Sequence, residues 1–176
     1  MPIVRPLADE FDPYYARYIE QVGVGDVLEL LEEQGRRTVS ELSALSNGRA
    51  SERPDAGEWS VKEVVGHLCD FERVFAYRAM HFARGSGLVL QTFDQDLFVS
   101  ASGANERTLV GLLTEFLAVR AGTLAMFGGL TSEMLTRCGV ASGAEMSARA
   151  VPYVIAGHEA GHFADQTRIH HLGQLD

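Results

Sequence analysis

The chain has 176 residues, 46% of them hydrophobic, with 15 Lys and Arg set against 24 Asp and Glu for a formal net charge of −9. That length suffices to bury one sizeable core and is short for two, so residues 1–176 are read as a single domain. The negative charge repels phosphate backbones and anionic lipid surfaces, which argues against nucleic-acid and membrane partners.

No apolar run reads as approaching the ~20 residues that span a bilayer. The opening MPIVRPLADEFDP carries prolines and acids where a signal peptide has an apolar centre, so a cytoplasmic protein is expected. Cys69 and Cys138 form no CxxC pair, which points to two idle thiols, with a single disulfide between them left open.

In chain order, FDPYYARYIEQVGVG reads as an N-terminal strap, set off from the first long helix by Gly23 and Gly25. Leu28, Leu31, Thr38, Leu42 and Leu45 recur at helical steps and predict that helix over about 26–46. The polar stretch SNGRASERPDAGE reads as a surface loop. Ser60 followed by Glu63 is a capping box, and it predicts a second helix that ends at Gly85. Residues 86–104 read as a long loop with a short helix; Asp94 and Asp96 lack the further ligands of a calcium loop.

Leu109, Leu112, Leu113, Phe116, Leu124 and Phe127 mark a third helix up to Gly128 and Gly129. A second loop runs through CGVASGAE. Ser147 can cap a last helix carrying Val151, Val154, Ile155, His158, His162 and Ile169, with Pro152 kinking or delaying its start. No segment shows the alternation of a strand bounded by hairpin turns, and no repeat appears. The chain is therefore predicted to be all-α: an up-down four-helix bundle with a short strap and a long loop between the second and third helices.

His158 and His162 stand four apart, so their rings project from one helical face about 5 to 6 Å apart at Cβ, a spacing that lets two imidazoles grip one metal or simply hydrogen-bond in a core. Their apolar neighbours place them on the inward stripe. His67, one turn after the stripe residue Val64 and one before Phe71, offers a third imidazole. Three protein ligands with one position left open are what a catalytic metal takes. Asp70 and Asp165, each one turn from a histidine, can orient its ring or face solvent. His81 lies ~21 Å along the helix from His67, too far to share an ion. His170 and His171 read as tail residues. Trp59, Phe71, Phe75 and Phe82 read as packing.

His158-Glu159-Ala160-Gly161-His162 also spells H-E-x-x-H, the helical signature of zinc proteases. The extended form of that motif needs more ligands downstream, yet position 165 is Asp and position 168 is Arg. No peptidase is expected.

With RPLADEFDPYYARYIEQV, the H-L-x-D-x-E core of WSVKEVVGHLCDFERVFAYRAMHFARG, FDQDLFV and YVIAGHEAGH in view, the chain resembles the DinB-like superfamily of four-helix proteins, which includes YfiT-like proteins, over nearly its whole length. The resemblance implies a divalent transition metal held by His67, His158 and His162, with nickel, zinc or iron as candidates. It also implies homodimers, and members often carry one more histidine just before the last ligand, where Gly161 stands here. The expected function is a metal-dependent enzyme acting on a small molecule. It would be of the thiol S-transferase type, with a low-molecular-weight thiol as co-substrate, or of the hydrolase type, and no catalytic residue is assigned. The alternative is a non-catalytic module, related to stress response, that binds a metal or a small molecule.

Overall fold

The computed structural model describes residues 2–170, with the side chains of the last helix as far as Ala164. The strap begins with single 3-10 turns at Ala8–Glu10 and Pro13–Tyr15 and a one-turn helix α1 (Ala16–Ile19). It buries Ile3, Tyr15, Ile19 and Val22, so it is part of the core. Four long helices come next: α2 (Val27–Leu42), α4 (Val61–Arg84), α6 (Leu109–Gly128) and α8 (Ala150–His170). Between them lie the short helices α3 (Asn47–Ser51), α5 (Gln95–Ala101) and α7 (Ser132–Thr136), and a hairpin of β1 (Cys138–Ala141) and β2 (Ala144–Ser147).

Local signals explain most of the boundaries. Asp26 caps α2 by accepting from the Leu28 N–H, and the capping box of Ser60 and Glu63 is made in both directions at α4. Gly85 closes α4 in the left-handed conformation. Ser147 accepts from the Ala150 N–H at 3.3 Å, and Pro152 fits the first turn of α8, where no N–H is needed. Asp94 spends its carboxylate on the N–H groups of Asp96 and Leu97, opening α5.

Several expectations need correction. The first concerns the chain path. Leu42, Val61, Val64, Leu109 and Phe116 share one cluster, whereas Val27, Phe75, Phe82, Phe127 and Val151 share the other. Helices α4 and α6 therefore start at the same end and run parallel, while α2 and α8 run the opposite way. Each of α4 and α2 packs on α6 and on α8, and the sequence-adjacent pairs α2/α4 and α6/α8 stand across the diagonal. The order is up-down-down-up, not up-down-up-down. Residues 85–108, with α5, are the crossover a parallel pair requires.

The second concerns 138–147, read as loop. It is an antiparallel hairpin with Cys138 opposite Ser147 and a Ser142-Gly143 turn at φ 56° and 78°. Both turn residues are left-handed, as a two-residue hairpin of this twist demands. Loop 43–60 also contains α3, and the first helix ends at Leu42, not near 46.

By length and composition α6 is apolar enough to cross a membrane, contrary to the sequence reading. Its two charges are both in ion pairs within the bundle: Glu115 with Arg73 and Arg107, Arg120 with Glu72 and Glu159. Cys69 is buried and Cys138 exposed, both free, so no disulfide joins them.

Candidate metal centre

The inner stripe of α4 carries His67, and one turn of α8 carries His158 and His162. Helix α1 crosses α8 at backbone contact, since a Cβ on Gly157 would overlap the Tyr18 carbonyl. That close approach lays Tyr18 beside His158.

The three imidazoles converge, one nitrogen from each lying within 4.8 Å of the others. Nε2 of His67 and Nε2 of His158 are 3.1 Å apart. Two protonated nitrogens would repel at that distance, so they share one proton or face a common cation. His67 and His158 are 2% and 4% exposed. Burial, then the proximity of His162, pushes His67 down to about 3 and drives His158 well below the usual imidazole range, where His67 and Arg17 add to the effect. Both are neutral at physiological pH, as metal ligation requires.

Nδ1 of His67 is, among the described residues, the one buried side-chain nitrogen or oxygen with no hydrogen-bond partner. An orphan of this kind costs ~1–3 kcal/mol; it is not the nitrogen that faces His158, which is Nε2. Neutral imidazoles with converging lone pairs fit a borderline divalent cation such as zinc, nickel or iron.

Aromatic rings close around the histidines. Phe71 lies flat on His158, with centroids 3.5 Å apart at 5°, and Tyr18 meets the same ring edge-on at 5.5 Å. Trp59 stacks on His162 at 6.0 Å and tilts against His67 at 4.8 Å. Trp59 and Phe71, read from sequence as packing, are thus walls of the site.

The carboxylates take other places. Glu159 turns from the histidines, accepting from Thr38 Oγ1 at 2.8 Å and Arg120 Nη2 at 2.7 Å. Arg120 also forks onto Glu72 and donates to the Leu31 carbonyl at 2.6 Å. Burial raises Glu159 above the usual carboxylate range despite Arg120. For Arg120, burial works downward, but Glu159 and Glu72 outweigh it and hold the guanidinium charged. The H-E-x-x-H glutamate therefore ties α8 to α2 and α6. Asp70 makes no hydrogen bond to His67; it faces Arg73 at 3.6 Å and is half-buried. The side chain of Asp165, with His170 and His171, lies outside the described residues. His81 is remote from the cluster, bonded through Nδ1 to Ser86 Oγ at 2.8 Å.

A pocket of about 420 Å³ opens beside His158, sharing Tyr18 and Phe71 with it and continuing along Tyr15, Phe75, Arg78 and Phe93. Sequence reasoning missed this pocket. A usable signal was present: Arg78 continues the inward stripe of His67, Phe71 and Phe75, a place where a lone cation needs a reason.

No curated protein sequence matches the chain. Among solved structures it resembles YfiT from Bacillus subtilis, described as a probable metal-dependent hydrolase with an unusual four-helix bundle topology. The TM-score is 0.73 and the identity 15%, over 88% of this chain and 90% of that one. The family model of the DinB superfamily matches residues 30–165.

Proposed function

This chain belongs to the DinB superfamily, and on that premise we propose that it is a metal-dependent enzyme acting on a small molecule, with His67, His158 and His162 as the metal ligands. The observation that carries the reading is the convergence of three imidazoles, two held neutral by burial, separated from a 420 Å³ pocket by the Tyr18 and Phe71 rings that pack on His158. Three protein ligands leave a coordination position for substrate.

When bound, the metal would supply Lewis acidity for hydrolysis. The chain's own side chains do the rest. His67 and His158 offer lone pairs without needing to lose a proton, Phe71 and Trp59 fix the ring planes, and the aromatic wall excludes water. Transfer of a low-molecular-weight thiol would use the same open position, and dependence on added thiol separates the two. Pairing as a homodimer and a cytoplasmic location complete the proposal.

One observation favours a non-catalytic binding module: neither Asp70 nor Glu159 is bonded to His67 or His158, the one facing Arg73 and the other Thr38 and Arg120. Elemental analysis of protein purified without chelator should give one transition metal per chain, and none in His158→Ala. Absence of metal from the native protein, or undiminished metal in the variant, overturns the ligand assignment. Turnover of small esters and amides by the loaded protein, lost in that variant, distinguishes the enzyme from the binding module.

A further inference from the structure

Arg78 is 4% exposed and lines the pocket beside the histidines. Nη2 donates to the Gln91 carbonyl at 3.2 Å and to Ser142 Oγ at 2.7 Å, and the Tyr15 hydroxyl is a polar neighbour on the same pocket wall. Among the described residues no carboxylate lies within ion-pair distance of it. A guanidinium has five N–H donors in a planar fork. The two bonds of Nη2 leave donors to spare, and neither partner carries a charge to balance the guanidinium.

The surroundings hold this cation in place. Ser142 keeps φ at 56°, a conformation uncommon without glycine, and its hydroxyl meets Arg78. Hydrogen bonds from Leu90 N to Val140 O and from Ser142 N to Leu90 O pin the turn to the crossover. The Phe75 ring packs 4.8 Å from the guanidinium carbon.

We propose that Arg78, with Tyr15 and Ser142, is a carboxylate-binding subsite, and that the pocket takes a small organic acid with a flat apolar body whose other end reaches the histidine centre. Arg78 stands eleven residues after His67, ~16 Å along the axis of α4. The ground between is paved by Phe71 and Phe75, stacked at 4.1 Å and 16°. The faces of Phe71 are taken by Phe75 and His158, so a ligand meets ring edges, and the Asp12 carboxylate on the same wall is engaged by the Tyr14 N–H. A planar fork at one end and an aromatic wall beyond it match a carboxylate on a flat apolar body. As a statement about substrate class this rests on the metal-enzyme reading, but anion binding does not need the metal.

The test is calorimetric titration with benzoate and its uncharged analogue benzamide, on metal-loaded and chelator-treated protein. Benzoate should bind both forms and outcompete benzamide. Arg78→Met should weaken benzoate at least about tenfold, with metal content unchanged, and Arg78→Lys should retain part of the affinity. Ser142→Gly, which removes the hydroxyl and relieves the backbone, should weaken benzoate in a protein no less stable. His158→Ala should lose metal and keep benzoate.

Equal affinity for benzoate and benzamide in the native protein overturns the subsite, even if Arg78→Met fails to fold. Unchanged benzoate binding in a folded Arg78→Met overturns it too, leaving Arg78 as a tie between α4 and the hairpin. If chelation or His158→Ala abolishes benzoate binding, the anion sits on the metal and the subsite is wrong. If the native protein holds no metal but discriminates benzoate through Arg78, the metal reading fails and the subsite stands.

Discussion

Two buried polar layers lie within one turn of each other on α8, and they are built on opposite principles. In one, Arg120 is shared by Glu72 and Glu159, with Thr38 and the Leu31 carbonyl completing the bonds, so that α2, α4, α6 and α8 are tied together and every member is satisfied. In the other, His67 and His158 bring nitrogens to 3.1 Å, leave one nitrogen unpartnered, and lie beside a pocket. The saturated layer holds the bundle. The unsaturated layer has bonding capacity left over, and the proposed metal would draw on it.

The largest effect should come from breaking the saturated layer. Arg120→Met leaves two carboxylates buried without their cation, and should cost about 3–5 kcal/mol in urea unfolding. A loss under ~1 kcal/mol would show the layer to be dispensable.

His158→Ala probes the other layer. Metal at a hundred times its Kd should raise the stability of the native protein by about 2.7 kcal/mol and that of the variant not at all. Equal gains in both would remove His158 from the ligand set.

Acid should act on the histidine layer first. With its folded value near 3 against about 6.5 unfolded, His67 stays neutral in the fold while the unfolded chain takes up a proton. Stability is therefore full above pH ~6.5 and falls as pH drops toward 3, by about 2 kcal/mol for this residue at pH 5, with His158 adding in the same direction. Protons also compete for the metal, so loaded protein should lose its advantage in the same range. Urea midpoints at pH 7 and pH 5 in chelator-treated protein check the sign, and a flat profile would contradict the burial of neutral imidazoles.

Glu159→Gln sharpens the contrast within H-E-x-x-H. It should cost about 1 kcal/mol through its bonds to Arg120 and Thr38, yet leave metal content and any metal-dependent rate intact. Loss of rate with metal retained would return Glu159 to the chemistry. The smallest effect is expected for Asp70→Asn, within ~0.5 kcal/mol and without change in metal, because the carboxylate faces Arg73 and not His67.

How much of this was written in the sequence depends on the range of the interactions involved. Capping at Ser60 and Glu63, the stop at Gly85, and the i, i+4 histidines are local, and all were legible. The hairpin at 138–147 was not: its strands have four residues each, too few for alternation to register, and only Ser142-Gly143 marked a turn. Helix periodicity says which face is inward but not which neighbour it meets. The parallel pairing of α4 and α6 was therefore invisible, as was the role of Glu159, whose partners Thr38 and Arg120 are 121 and 39 residues away. Phe71 and Trp59 were legible as apolar anchors; that they press on histidines emerges only in three dimensions.

The up-down-down-up path has a kinetic consequence. An ordinary bundle can grow from a helical hairpin, two consecutive antiparallel helices zipping together from a short turn. Here α2 and α4 are antiparallel but diagonal, α4 and α6 are adjacent but parallel, and α6 and α8 are diagonal again. No pair of consecutive long helices can form such a seed. The earliest productive contacts must close a crossover of tens of residues, and helix α8 must find α2 from the far end of the chain. Non-local closure slows folding, so refolding should be slow for an all-helical chain of this length.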